Sequence, residues 1–150
     1  IFAPERILLL QAYMGVGKTT AIQSLVEKEN FKRVLYLSPR IAFAKFIAKE
    51  FDAEMYIGGD LTADHLVMSM ESLYKINEEI AYDCVIMDES EANLNVFSSS
   101  TMNSRQIEVF DTLCRLIKSS KKTVFAGAFF TDKTFDFAKS FGEPTRLIRN

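Results

Sequence analysis

The chain has 150 residues, 48% hydrophobic and 25% charged, with a formal net charge of −2. At this length one core buries roughly 70% of the surface that the unfolded chain exposes, so a single domain over 1–150 needs no disulfide or metal staple. The near-neutral charge excludes a polycation that coats nucleic acid, leaving only a local cationic groove. The longest apolar run, Ile7 to Leu10, is too short to cross a bilayer, and no membrane association is expected. Cys84 and Cys114 lack CxxC spacing and His65 stands alone, which excludes a zinc cluster. The thiols read as reduced core residues of an intracellular protein, nuclear or cytoplasmic.

In chain order, short apolar runs alternate with helical periodicity. A strand over Arg6–Gln11 leads to a helix over Lys18–Glu29, then a strand over Arg33–Leu37 and a helix over Pro39–Phe51. A crowded stretch follows, with strands over Glu54–Ile57 and Leu66–Met68 and a helix over Glu71–Asn77. The strand Cys84–Met87 precedes a polar patch, Asn93–Ser104, which predicts an exposed, mobile loop. The pattern closes with a helix over Ser104–Ser119, a strand over Thr123–Ala126, a helix over Asp132–Ser140 and a weaker strand over Arg146–Ile148. Repeated βα order with apolar strands predicts an α/β fold, a mostly parallel sheet covered by helices on both faces. Phe43, Phe46, Phe51, Phe125 and Phe137 fall at core-like spacing and read as packing.

In open α/β sheets, ligands sit beyond the carboxyl ends of the strands. After the first strand, Ala12-Tyr13-Met14-Gly15-Val16-Gly17-Lys18-Thr19-Thr20 fits a phosphate-binding loop with Ala in place of its first Gly. Met14, Gly15, Val16, Gly17, Lys18, Thr19 and Thr20 would cradle the phosphates of ATP, with Lys18 on the β and γ phosphates and Thr19 on Mg²⁺. The alternative is a plain glycine-rich turn. After the fifth strand, Asp88 would bind Mg²⁺ and Glu89 would orient or deprotonate water; otherwise the two acids simply begin a solvated loop. Lys18, Asp88 and Glu89 are the catalytic candidates. Ser38-Pro39-Arg40 reads as a helix start, with Ser38 the N-cap and Pro39 at N1. Arg40 opposes the helix dipole there, which fits a nucleic-acid phosphate at that site or a local carboxylate partner. Ser69, Glu71 and Ser72 could cap a short helix or place it over a backbone phosphate. Gly127 and Ala128, after the sixth strand, should lie beside the two acids, with small side chains that let the backbone approach closely.

Taken together, Met14-Gly15-Val16-Gly17-Lys18-Thr19, Leu37-Ser38-Pro39-Arg40, Ser69-Met70-Glu71-Ser72-Leu73, Asp88-Glu89-Ser90-Glu91 and Ala126-Gly127-Ala128 resemble motifs I, Ia, Ib, II and III of superfamily 2 helicases. The phrases Ser-Pro-Arg, Met-Glu-Ser-Leu-Tyr and Asp-Glu-Ser-Glu, and Ala-Phe before Thr-Asp, are most similar to viral replication-origin-binding proteins of the herpesvirus type. The resemblance implies the N-terminal RecA-like domain of a P-loop NTPase, a three-layer ATP- and Mg²⁺-binding half of a helicase or translocase in viral-type DNA replication. It implies contact with a DNA or RNA single-strand backbone through Ser38, Arg40, Ser69, Glu71 and Ser72, and coupling of hydrolysis to strand separation at Gly127 and Ala128. It also implies a second RecA-like domain that supplies an arginine finger, so a segment of a longer protein, a viral one inside a host cell, is expected. The other readings are a small nucleotide kinase, for which no arginine-rich lid stands out, and a non-catalytic nucleotide-binding scaffold. A finger from a second copy would come from Arg105 or Arg115.

Overall fold

The computed structural model describes residues 4–13, 17–39, 41–57, 61–98 and 104–149, with backbone only at 41–43. Seven strands form one sheet: β1 (Ile7–Gln11), β2 (Val34–Ser38), β3 (Glu54–Met55), β4 (His65–Ser69), β5 (Cys84–Met87), β6 (Lys122–Gly127) and β7 (Thr145–Arg149). Their spatial order is β3-β4-β2-β5-β6-β1-β7, and each described pairing is parallel. The helices are α1 (Lys18–Glu29), α2 (Ile41–Glu50), α3 (Ser90–Asn95), α4 (Gln106–Ser119) and α5 (Asp132–Lys139).

Alternation along the strands divides the core. Leu8 and Leu10 of β1, Val34 and Tyr36 of β2 and Ile86 of β5 pack with Ile22, Leu25 and Val26 of α1 and Ala44 and Ile47 of α2. Their neighbours Ile7, Leu9, Leu35, Leu37 and Met87 pack on the other face with Leu94 of α3, Val109, Leu113 and Leu116 of α4 and Ala138 of α5. Both sheet faces are therefore covered, which is why the strands read as continuous apolar runs. The helix after β1, α1, packs on one face and the helix after β6, α5, on the other, so the chain leaves the neighbouring strands β1 and β6 toward opposite faces. That divergence opens a crevice at the carboxyl ends of the two strands.

The sheet and both long helices follow the sequence expectation, and α1 has the expected ends. Four details differ. Ser38 ends β2, paired with Ser69 of β4, and α2 begins at Ile41, so Ser38 is a strand residue rather than the N-cap of that helix. The helix expected over Glu71–Asn77 is a 3₁₀ helix over Met70–Lys75. Met70, Leu73 and Ile76 are all buried and spaced three apart, which matches the three-residue turn of that helix. The predicted loop Asn93–Ser104 begins inside α3 and a 3₁₀ turn over Val96–Ser98, and Asn93 is fully buried. Only Leu94 gives α3 an apolar anchor, so hydrophobic periodicity could not reveal it. Among the aromatics, Phe125 is buried and Phe137 meets it edge-on at 5.9 Å between ring centres, whereas Phe46 is 49% exposed. The Phe43 side chain is outside the described residues.

Candidate active site

The site is a row of residues at the carboxyl ends of adjacent strands. Ser69 follows the body of β4, Ser38 that of β2, Asp88 comes after β5, and Gly127 ends β6 next to Gln11 of β1. The expected motifs thus reach one edge although they are spread over most of the chain. Met14, Gly15, Val16 and Arg40 lie outside the described residues. Gly17, just before α1, has φ +83°, a conformation that costs glycine little and other residues more. Its carbonyl accepts from Ala21 N–H at 2.8 Å, opening the helix on Lys18.

Lys18 is only 8% exposed and Asp88 only 6%. The Lys18 Nζ lies 3.2 Å from Glu89 Oε1 and 3.6 Å from Asp88 Oδ1. A buried ammonium is tolerable when paired in this way, and each carboxylate gains from the shared cation. Burial pushes the Asp88 carboxyl above its ordinary value; Lys18 and the Glu89 N–H, which donates to Asp88 Oδ1 at 2.9 Å, oppose that shift. Glu89 has φ +50°, an uncommon conformation for a side chain of its size, and its carboxylate stays 40% exposed. The tight turn gives the two acids different surroundings: Asp88 is buried, whereas Glu89, the nearer partner of Lys18, stays partly exposed.

Thr19 and Asp88 both line a narrow cavity of about 10 Å³ between α1, β2 and β5, together with Ser38 and Tyr36. The space is enough for about one water and too small for a nucleobase. A buried carboxylate beside a hydroxyl is a hard oxygen pair of the kind Mg²⁺ accepts alongside phosphate oxygens. Among the described residues, no group of three or more His, Cys, Asp or Glu could hold a metal. A cation here would therefore draw on Asp88 and Thr19 rather than on an all-protein cage. Thr20 is exposed on the first turn of α1.

Of the nucleic-acid candidates, Ser38 is 2% exposed, Glu71 is exposed, and Ser69 Oγ donates to Ser72 Oγ at 3.1 Å. Register pairs Ser38 with Ser69, so the two segments run side by side. On the β6 side, Ser90 Oγ, next to Glu89 in the chain, donates to the Ala126 carbonyl at 3.2 Å, and Ala12 N–H donates to that of Gly127 at 3.0 Å. A Cβ on Gly127 would approach the Phe129 carbonyl and the Phe130 ring to 3.4 Å, tight enough to favour a residue without one.

Sequence reasoning missed three residues. Glu91 receives a hydrogen bond from the Thr131 hydroxyl at 2.5 Å and another from Thr134, fastening α3 to α5. Burial raises the Glu91 carboxyl, but these two hydroxyls outweigh it and hold it below its ordinary range. Gln11 accepts from Arg149 Nε at 3.2 Å and donates to the Ala128 carbonyl at 3.4 Å, tying β7 to the sixth-strand loop. Buried Asn93 is the third. The Asp-Glu-Ser-Glu phrase marked the acids; nothing marked the side chains that hold them. The two arginines considered for a finger are engaged on α4: Arg105 sits 3.9 Å from the Tyr74 ring centre and 3.5 Å from Glu108, and Arg115 donates to the Ile80 carbonyl at 2.9 Å.

Residues 3–145 match the family described as origin of replication binding protein. The replication origin-binding protein of Human herpesvirus 6A (strain Uganda-1102) is 34% identical over 160 residues, covering 97% of this chain and 20% of that protein. The uncharacterized putative helicase R8 of Acanthamoeba polyphaga mimivirus is 24% identical over 143 residues, covering 83% of this chain and 14% of that protein. The chain thus spans about a fifth of the first relative's length, or less. In fold it matches a DEAD box protein from the hyperthermophile Methanococcus jannaschii at TM-score 0.68 and 17% identity, over 97% of this chain and 45% of that one. A hypothetical ATP-dependent RNA helicase from Sulfolobus tokodaii matches at TM-score 0.71 and 16% identity, over 97% and 48%. In fold the sheet thus matches the RecA-like domain that the motifs implied.

Proposed function

Because the chain belongs to the origin of replication binding protein family, we propose that it is the ATP- and Mg²⁺-binding half of a helicase or translocase acting in viral-type DNA replication. The observation that carries this reading is Lys18, on the first turn of α1, held within 3.6 Å of two carboxylates just beyond the tip of β5. The Lys18 ammonium neutralises phosphate charge, aided by the positive end of α1. Asp88 and Thr19 would hold Mg²⁺, which when bound offsets charge on the phosphate oxygens. Glu89, partly exposed beside Lys18, accepts a proton from the attacking water. In this reading Ser69, Glu71 and Ser72, together with Arg40, would meet a single-strand backbone, the buried Ser38 would support them from the end of β2, and Gly127, Ala128 and the Glu91–Thr131 contact would couple that strand to the acids.

In this reading a second RecA-like domain supplies the arginine finger, and the protein works inside the cell. Hydrolysis by the 150-residue chain stays near background, because an absent finger costs about 10³–10⁵ in rate. Strand binding is weak and mildly salt-dependent, since about two or three phosphates are neutralised. Steady-state ATPase of the chain with and without a long single strand tests this. Strand-stimulated turnover that disappears in Lys18→Ala would overturn the half-site reading. The kinase reading finds no support in Arg105 and Arg115, which are engaged within the α4 face.

A further inference from the structure

The ladder between β2 and β5 ends at the pair Leu37–Met87, one residue short of Asp88. Beyond it the chain turns sharply through Glu89, at φ +50°. The Asn93 side chain continues the connection between the strands: its Nδ2 donates to the Asp88 carbonyl at 2.6 Å and to the Leu37 carbonyl at 3.3 Å. Its own N–H donates to the Glu89 carbonyl at 3.0 Å. The residue is fully buried, and among the described residues its Oδ1 has no hydrogen-bond partner. A buried amide with half of its polar atoms unused is expensive as packing. What it does achieve is to fix the main chain of Asp88 against the end of β2, where Ser38 follows.

We infer that Asn93 is a positioning residue, which sets the Mg²⁺ affinity of the nucleotide site by holding Asp88 in place through its main chain. This rests on the proposed role of Asp88. Groups that orient a metal-binding side chain without touching the metal change affinity by about 10–100-fold when removed. Asn93 acts one step further back, on the backbone of the acid, so the low end of that range applies.

The test measures ADP binding by the 150-residue chain across a Mg²⁺ titration, for the unmodified protein, Asn93→Leu and Asn93→Asp. Asn93→Leu keeps the approximate shape and removes both donors, whereas Asn93→Asp leaves at most one O–H donor for two carbonyl oxygens. The Mg²⁺ concentration for half-maximal enhancement should rise about tenfold, while ADP affinity without metal stays within about twofold. An unchanged Mg²⁺ dependence, or a parallel loss of metal-free affinity, would overturn the inference, the second result indicating a merely structural role. If neither variant folds, the side-chain amide resonance of Asn93 in the unmodified chain decides: it should move when Mg²⁺ is added to the ADP-bound protein, and indifference to Mg²⁺ would overturn the inference. Absence of any Mg²⁺ dependence in the unmodified chain would instead remove the premise, the role of Asp88 itself.

Discussion

The two ends of the sheet handle charge differently. At the amino ends of the strands, charges are tied into the backbone. Asp83 Oδ2 accepts from the N–H groups of Lys32 and Arg33, both at 2.9 Å, while Lys121 lies 3.7 Å from its other oxygen. Arg6 binds Glu143 at 2.5 Å and donates to the Ile117 carbonyl at 2.9 Å, so a cation closes the carboxyl end of α4. At the carboxyl ends, one buried cation is shared by two acids, one acid is raised by burial, the other stands in a left-handed turn, and a buried amide leaves an oxygen unused. The amino-end charges stabilise the fold, and the carboxyl-end charges are held in a state that a ligand could relieve. That contrast fits the nucleotide site proposed at the carboxyl edge.

Substitutions at the two ends should therefore separate activity from stability. The largest effect is expected for Glu89→Gln in a longer protein carrying the proposed second domain. ATP binding stays within about twofold, and turnover falls about 10²–10⁴-fold as the proton acceptor is lost, measured by steady-state ATPase beside equilibrium binding. Wild-type turnover would remove the base role from Glu89.

At the opposite end, Asp83→Ala should cost about 2 kcal/mol of folding stability, because two N–H groups lose a charged acceptor. Nucleotide binding should be unaffected. Hydrogen bonds from the Arg33 and Lys32 backbone hold the Asp83 carboxyl below its ordinary value despite some burial. Its folded-state pKa is thus below the unfolded one, near 3.9. The stabilisation is complete above that pH and disappears as pH falls through the folded value. Urea unfolding at pH 7 and at pH 3 should show a smaller difference between unmodified chain and variant at the lower pH. A difference that does not shrink would assign the stabilisation to something other than the carboxylate.

The smallest effect sharpens the contrast from the functional side. Glu89→Gly releases the left-handed strain and removes only a half-exposed ion pair, worth about 0–1 kcal/mol. With strain of about 1 kcal/mol relieved, the midpoint of thermal unfolding should hold or rise by about 2–4 °C while hydrolysis is lost. A clear fall in that midpoint would mean that Glu89 serves the fold rather than the chemistry.

Much of this was legible in the sequence because parallel sheets buried on both faces spell out their strands as apolar runs. Cys84–Met87 appears as expected, and the other strands shift by a residue or two. Asp88 and Glu89 were legible because they come straight after a strand, and Lys18 because it follows the glycine-rich run Gly15-Val16-Gly17 at the start of a helix. What escaped was held by polar side chains: α3 rests on Ser90 and Asn93, and the α3–α5 junction on Glu91, Thr131 and Thr134. Such contacts have no periodicity, and partners forty residues apart in the chain give no local signal. Ser38 was misplaced for a related reason: Ser-Pro is a good helix opening, but pairing with β4 extends β2 through that serine and starts the helix later.

The central claim is that the shared cation at the carboxyl edge is a phosphate-binding group. Titration calorimetry of Mg²⁺–ATP into the folded 150-residue chain and its Lys18→Ala variant tests it most directly. Removing a buried charged partner of the ligand is expected to cost about 2–5 kcal/mol of binding, a loss of at least about 30-fold. Unchanged affinity in a folded Lys18→Ala variant would contradict the account.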